Sequence, residues 1–203
     1  MIKKKDSNLE YHSHDSISAS GLKTIYKKSV YHYLNQEQFV STPAMNFGSA
    51  VHSVLLEPEK KEILALPKNL NLRTKKDKEY KKQLISDNPD KIVVSGEEKD
   101  SLDQIAQNAM NNELANKLLF TLDEIENSYY GTYEDVPVRI RPDGIKKGRY
   151  IIDIKTCQDA SPKAFRSAIY NYAYHLQACF YSEMLGYDPA SFRFIAIENR
   201  YPF

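Results

Sequence analysis

The amino-acid sequence predicts an α/β fold of the α+β type, in which a central mixed β-sheet is flanked by helices. Apolar residues recur at helical spacing through the first half of the chain, and from about residue 125 they follow strand spacing. A further helix and a last strand come after these strands, an order typical of helices packed on a sheet. Since the 203 residues contain no internal repeat or long linker, we expect one domain over 1–203.

The first part of the chain is predicted to be mainly helical. Residues 1–15 are polar and are expected to be loose. Ser16 or Ser18 can cap a helix whose apolar residues lie three and four positions apart, namely Leu22, Ile25, Tyr26, Val30 and Tyr33. A second helix is predicted over 44–57, where Pro58 ends it.

The middle of the chain contains one dense basic segment, residues 73–82. We interpret it as the solvated face of a helix, in preference to a nucleic-acid contact. A short strand is predicted over 92–94. Ser95 and Glu98 then have the spacing of a capping box and predict the start of another helix.

The second half is predicted to form strands around one long helix. The predicted strands cover 125–133, 136–145, 150–155 and 192–197. A turn over 146–149 joins the second strand to the third. The helix is predicted over 162–185, with Pro162 in its first turn.

Composition excludes several classes of protein. The chain has 28 basic and 27 acidic residues, a balance that argues against a strongly basic DNA-coating protein. No run of 18 apolar residues and no signal peptide is present, so we expect no membrane association and a cytoplasmic location. Cys157 and Cys179 are too few for a disulfide framework or a four-cysteine iron–sulfur site.

One predicted hairpin carries the residues with the clearest chemistry. Within a strand, Asp153 and Lys155 share one face, while Ile152 and Ile154 point to the other and can be buried. We therefore expect the acid and the amine on the open face of the sheet. With the turn centred near 147–148, Asp143 is predicted to lie opposite or diagonal to Asp153.

Two carboxylates in cross-strand positions repel each other and favour a cation between them. The Lys155 ammonium can balance only one of the two charges. Carboxylate oxygens suit Mg²⁺ or Mn²⁺, and a lysine beside such an ion can orient or deprotonate an attacking water. The pattern therefore indicates phosphodiester hydrolysis. The alternative is a surface hairpin with one ion pair, from Asp153 to Lys155 or to Arg141.

Four short motifs occur in a fixed order along the chain. They are Gly48 to His52, Pro142-Asp143, Asp153-Ile154-Lys155 and Gln177 to Tyr181. Together they resemble the PD-(D/E)xK nuclease superfamily and its RecB-like branch. The resemblance implies a restriction-endonuclease-like core.

Within that branch the sequence is similar to the nuclease domain of RecE-type exonucleases (exonuclease VIII), from about residue 10 to the last residue. Further marks of this similarity are Tyr11-His12, the run 18–22, the Arg141-Pro142-Asp143 triplet and the run 172–177. RecE-type domains continue past the point that matches 198–203. We therefore expect a fragment of a longer protein or a shortened relative.

The resemblance assigns roles to particular residues. Asp143, Asp153 and His52 match metal ligands, together with the Ile154 carbonyl, and Lys155 matches the catalytic lysine. Glu126 matches the acid on the preceding strand, although Glu124 and Glu134 lie nearby. Gln177 and Tyr181 match a motif that organises the site and contacts DNA.

The function implied is a Mg²⁺-dependent deoxyribonuclease, with Mn²⁺ as a substitute, that digests linear double-stranded DNA from the 5′ end in phage or prophage recombination. The expected partners are double-stranded DNA ends, further copies of the chain in a ring such as a tetramer, and a single-strand annealing protein. One alternative is a structure-specific or restriction-type endonuclease on the same core. Another is a DNA-end-binding module without turnover.

Overall fold

A computed structural model of the chain describes residues 1–36, 42–60 and 62–201. The helices are α1 (Asn8–Ser13), α2 (Ala19–Lys27), α3 (Val30–Leu34), α4 (Pro43–Leu56), α5 (Lys75–Asp87), α6 (Gly96–Asn111), α7 (Glu113–Leu119), α8 (Pro162–Asn171) and α9 (Tyr174–Leu185). The strands are β1 (Ile2–Lys4), β2 (Ile63–Ala65), β3 (Ile92–Val94), β4 (Glu124–Ile125), β5 (Ser128–Tyr133), β6 (Val136–Ile140), β7 (Gly144–Lys146), β8 (Tyr150–Cys157) and β9 (Phe192–Glu198). Short 3₁₀ turns cover Pro58–Lys60 and Pro189–Ser191.

The strands of the described residues form three sheets. The largest has the order β4-β7-β8-β9 and is mixed, because β8 pairs antiparallel with β7 and parallel with β9. A second sheet, β1-β5-β6, is antiparallel, and β2 pairs in parallel with β3. The predicted arrangement of a mixed sheet with flanking helices is confirmed.

Strand β8 is the centre of the core, since it is apolar toward both of its faces. Ile152 and Ile154 pack with residues of α4 and α6, such as Val51 and Leu102. On the other face Ile151 packs with residues of α9 and β9. Ile151 and Ile152 are fully buried. This double burial explains why the first half of β8 reads as a nearly continuous apolar run that Asp153 interrupts.

The expectation that residues 1–15 are loose is wrong. Strand β1 pairs with β5, and Ser7 begins α1 through a capping box with Glu10. The Asp6 carboxylate accepts hydrogen bonds from Ser128 and Tyr130, and the Arg141 guanidinium lies 2.6 Å from it. These partners lie more than 100 residues away in the sequence. The polar composition of residues 1–15 therefore did not indicate that the segment is held in place.

Several predicted elements are interrupted. The helix expected to continue through residue 33 divides into α2 and α3, because the Ser29 hydroxyl accepts the His32 N–H and caps a new helix. The helix expected over 162–185 divides into α8 and α9 at Ala173, which has a φ of 51°. The strand expected over 136–145 leaves β6, turns through the buried Pro142 and enters the other sheet as β7.

Other predicted elements are confirmed. Helix α4 covers the predicted 44–57 within one residue at each end, and α6 begins with the capping box of Ser95 and Glu98. The basic segment lies in α5, whose residues 75–87 contain no buried side chain, as a solvated face requires. Strand β2 and helix α7 were not predicted, since each is short.

We expect Asp6→Asn to lower the free energy of unfolding by about 2 kcal/mol at pH 7, because it removes charge-assisted hydrogen bonds from a nearly buried cluster. Burial raises the pKa of Asp6, but hydrogen bonds from Ser128, Tyr130 and Arg141 outweigh it and lower the pKa from 3.8 to about 2. The stabilisation is therefore present above pH 3.8 and is lost as pH falls toward 2.

Urea unfolding of the wild type and the variant at neutral pH and at roughly pH 3 measures this difference. The matched control is Asp15→Asn, which makes the same change at an exposed position. A wild-type-to-variant difference that stays constant with pH contradicts the assigned role of the Asp6 charge.

Candidate active site

The two acids of the predicted hairpin face each other across β7 and β8. Gly144 pairs with Ile152, and the same register sets Asp143 opposite Asp153, as the turn position predicted. The turn is closed by a hydrogen bond from the Arg149 N–H to the Lys146 carbonyl, with Gly148 at a φ of 67°. Asp143 is buried and accepts the Ile154 N–H at 2.6 Å.

His52 approaches this hairpin from α4. Its Nδ1 lies 3.6 Å from Asp143 Oδ1 and 3.5 Å from Glu126 Oε1. Its Nε2 lies 3.2 Å from the Ile154 carbonyl oxygen. One imidazole therefore spans from the carboxylates to the backbone of β8.

Glu126 comes from the break between β4 and β5. It has a φ of 49°, a conformation uncommon for a residue with a side chain, and its N–H donates to the Asp143 carbonyl at 3.2 Å. His52, Glu126 and Asp143 each offer one ligand atom, and these atoms lie within 4.8 Å of one another. We call these three residues the His–Glu–Asp cluster.

Asp153 belongs to a neighbouring network. Its Oδ2 lies 2.5 Å from Lys155 Nζ, and its Oδ1 accepts a hydrogen bond from the Gln177 side-chain amide at 2.5 Å. The expectation that this face is open is wrong, because α9 covers it and leaves Asp153 only 1% exposed. The metal ligands expected from the sequence therefore separate into two groups. Asp153 lies beside Lys155, whereas Asp143 and the Ile154 carbonyl lie beside His52.

Tyr181 lies one turn after Gln177 and is buried. It shares a hydrogen bond with Tyr11 and bonds the backbone of Arg141, two residues before Asp143. Burial raises its pKa well above 10. These contacts give Tyr181 a positioning role for the Pro142-Asp143 turn.

Lys23 of α2 is a site residue that the sequence did not reveal. Its ammonium donates to the Gln177 side-chain carbonyl at 2.6 Å and lies 5.1 Å from the centre of the Tyr174 ring. Lys155 lies 5.0 Å from the same ring centre. Burial and the nearby Lys155 charge lower the pKa of Lys23 to about 8. The apolar spacing predicted this helix, but nothing in the sequence marked Lys23 as one of its functional residues.

Comparison with known proteins identifies the family. A model of the "PDDEXK-like domain of unknown function (DUF3799)" matches residues 18–203. The chain belongs to this PDDEXK-like family. The superfamily assigned from the four motifs and the restriction-endonuclease-like core are therefore confirmed. No curated protein matches the chain.

Among solved structures, this PDDEXK-like chain is similar to a protein from Eubacterium rectale that carries the description "Putative exonuclease". The TM-score is 0.60 at 14% sequence identity, over 98% of this chain and 75% of that one. At this identity the similarity supports the fold.

Among the described helices, none has the length and apolar character needed to cross a membrane.

The His–Glu–Asp cluster of this PDDEXK-like domain fits a divalent cation. Two carboxylates and one imidazole are ligands that Mg²⁺ or Mn²⁺ accepts, and both acids approach the same imidazole nitrogen. Burial raises the pKa of Asp143 to about 7. Burial lowers the pKa of His52, but Asp143 and Glu126 outweigh it and raise the pKa to about 9. The carboxylates thus hold a proton on the imidazole, which indicates a site that favours positive charge.

We expect saturating Mn²⁺ to raise the melting temperature of the wild type, because a ligand that binds the folded state stabilises it. Asp143→Asn and Glu126→Gln should lose this shift, as measured by differential scanning fluorimetry. Glu134→Gln is the matched control, since Glu134 is exposed in the turn between β5 and β6 and, like Glu126, has a positive φ. Equal shifts in all four proteins are incompatible with a metal site at this cluster.

The affinity for Mg²⁺ is expected to increase with pH. A metal needs neutral His52 and ionised Asp143, whose pKa values are about 9 and about 7. Affinity should therefore rise from neutral pH up to about pH 9 and then level off. Calorimetric titration at several pH values measures this, and His52→Gln should flatten the slope above pH 7. An affinity that does not change between pH 7 and 9 contradicts the assignment of His52 as a ligand.

Proposed function

We propose that this chain is a divalent-metal-dependent deoxyribonuclease that hydrolyses phosphodiester bonds. The observation that carries the proposal is the position of the His–Glu–Asp cluster beside the Asp153–Lys155 pair, because the register of the β7–β8 hairpin sets Asp143 of the cluster opposite Asp153. Carboxylates, an imidazole and a lysine ammonium in one site are suited to holding a cation and a phosphate together. Membership of the PDDEXK-like family supports the same chemistry.

His52, Glu126 and Asp143 are the residues that hold the cation, with Mg²⁺ as the proposed ion. A bound divalent ion supplies a polarised phosphate and a water of lowered pKa. The Ile154 carbonyl accepts a hydrogen bond from His52 Nε2, so the backbone of β8 fixes the orientation of the imidazole ring.

Lys155 acts in this proposal as a cation. Burial lowers its pKa, but the Asp153 and Asp143 carboxylates outweigh it and raise the pKa above 10.5. A protonated lysine cannot take a proton from water, so its ammonium orients the water and balances the negative charge that develops on the phosphate. Asp153 holds Lys155 in place, and Gln177 holds Asp153.

The finer proposal is a 5′-to-3′ exonuclease on linear double-stranded DNA, active in the cytoplasm in phage or prophage recombination. It rests on the similarity to RecE-type enzymes and on the description of the Eubacterium rectale protein as "Putative exonuclease". A ring of identical chains and a single-strand annealing partner belong to the same proposal. A structure-specific endonuclease on the same core is the competing function.

The role of Lys155 is tested with Lys155→Met. We expect the rate of DNA cleavage under single-turnover conditions to fall at least ~100-fold, the usual scale for a positioned charged group in catalysis. The Mn²⁺-induced rise in melting temperature should remain, since the cation ligands are intact. Lys147→Met is the control, because Lys147 is exposed on the same hairpin. Near-wild-type cleavage by Lys155→Met means that Lys155 serves only as an ion-pair partner.

The choice between exonuclease and endonuclease is tested with end-labelled linear duplex DNA and covalently closed circular DNA, each with Mg²⁺ and with EDTA. We expect Mg²⁺-dependent release of label from the 5′ end of the linear substrate and no cleavage of the circle. Nicking of the circle at a similar rate contradicts the exonuclease proposal and favours the endonuclease. The absence of cleavage of either substrate contradicts both.

A further inference from the structure

Two stretches of this nearly neutral chain contain no acidic residue. Residues 16–36 include Lys23, Lys27 and Lys28, and residues 160–182 include Lys163 and Arg166, without a single Asp or Glu among the 27 in the protein. Both stretches are also rich in tyrosine. Positive charge interleaved with aromatic rings is typical of surfaces that bind nucleic acid.

The two stretches lie side by side in the fold. Lys27 of α2 donates a hydrogen bond to the Asn171 carbonyl at the end of α8. The Tyr26 ring meets the His175 ring edge to face, with ring centres 6.2 Å apart, and the centre of the Tyr170 ring lies 5.6 Å from the same imidazole. The two acid-free segments therefore lie against each other and form one continuous surface.

Three tyrosines stand on this surface with most of their area exposed. Tyr26 is 64% exposed, Tyr170 is 68% exposed and Tyr172 is 61% exposed. Exposed aromatic rings that lie close together, unlike single exposed ones, are typical of a surface that contacts a partner. We call Tyr26, Tyr170 and Tyr172 the tyrosine ridge.

The tyrosine ridge continues into the candidate active site. Tyr172 stacks on Tyr174, with ring centres 5.5 Å apart and planes within 26°. The Tyr174 ring in turn lies beside both Lys23 and Lys155. A polymer lying along the ridge thus reaches the lysine that is proposed to face the phosphate.

We propose that the tyrosine ridge binds a single-stranded DNA segment by stacking its unpaired bases, with Lys23 and Lys27 facing its phosphates, and so delivers one strand to the active site. Bases in a duplex are stacked on each other and offer no free face to a tyrosine, whereas unpaired bases do. A second copy of the chain is disfavoured as the occupant, because a symmetric interface sets these acid-free, lysine-containing segments against their own copies. The proposal deepens and rests on the proposed nuclease function.

The test measures binding in EDTA, so that it does not depend on metal or cleavage. The probes are fluorescent oligothymidine of about 12 nucleotides, a chain of the same length that carries abasic sugars, and a blunt duplex. Fluorescence anisotropy gives the affinity for each. We expect the wild type to bind oligothymidine more tightly than the abasic chain.

The paired variant Tyr170→Ala/Tyr172→Ala should weaken oligothymidine binding at least about fivefold and leave binding to the abasic chain unchanged, since the loss is one of stacking. Tyr170→Phe/Tyr172→Phe should restore the affinity, because phenylalanine keeps the ring face. Tyr133→Ala, at an exposed tyrosine on the β5–β6 hairpin outside the tyrosine ridge, is the matched control and should have no effect. Lys27→Met should weaken both single-stranded probes and reduce the salt dependence of binding.

Three results overturn the proposal. One is an equal loss for oligothymidine and the abasic chain in the alanine variant, and another is unchanged binding of oligothymidine by that variant. The third is a dimer in light scattering that the alanine variant abolishes, which makes the ridge an interface between copies. If the binding results are as expected but the protein shows no Mg²⁺-dependent cleavage, only the proposed nuclease function is contradicted.

Discussion

The apposition of Asp143 and Asp153 across one buried hairpin is the constraint on which the rest of the site depends. Two carboxylates in register and almost without solvent are strongly unfavourable unless each is compensated. The protein compensates them separately. His52 and the Ile154 N–H serve Asp143, while Lys155 and Gln177 serve Asp153. These polar side chains around β8 therefore serve to compensate the two carboxylates.

The site residues outside the hairpin come from different elements, which explains why so much of the fold converges on one strand. Helix α4 carries His52, the break between β4 and β5 carries Glu126, and α9 carries Gln177. Helix α2 adds Lys23, whose hydrogen bond to Gln177 ties a second layer to the site. The apolar cores on both faces of β8 hold these elements in place, so the geometry of the site is a property of the packing.

Local patterns predicted much of this arrangement. The turn at Gly148 sets the register of the hairpin, and this register places Asp143 opposite Asp153. The breaks at Ser29 and Ala173 were missed because helical periodicity continues across both of them. Lys23 was missed because a lysine on an amphipathic helix looks like any solvated cation until its tertiary neighbours are known. Burial and strand pairing depend on contacts between residues far apart in the sequence, and local sequence patterns do not reveal these contacts.

The N-terminal strand β1 affects how the boundary of this domain should be drawn. The family model begins at residue 18, yet β1 supplies the outer partner of β5 and covers its hydrogen-bonding edge. A polypeptide begun at the family boundary exposes that edge, with its unpaired N–H and C=O groups, to neighbouring molecules. It also leaves the Arg141 guanidinium, next to the Pro142-Asp143 turn, without its Asp6 carboxylate partner. Aggregation of such a shortened protein then reflects an uncovered sheet edge, and its cause is distinct from any defect in the core.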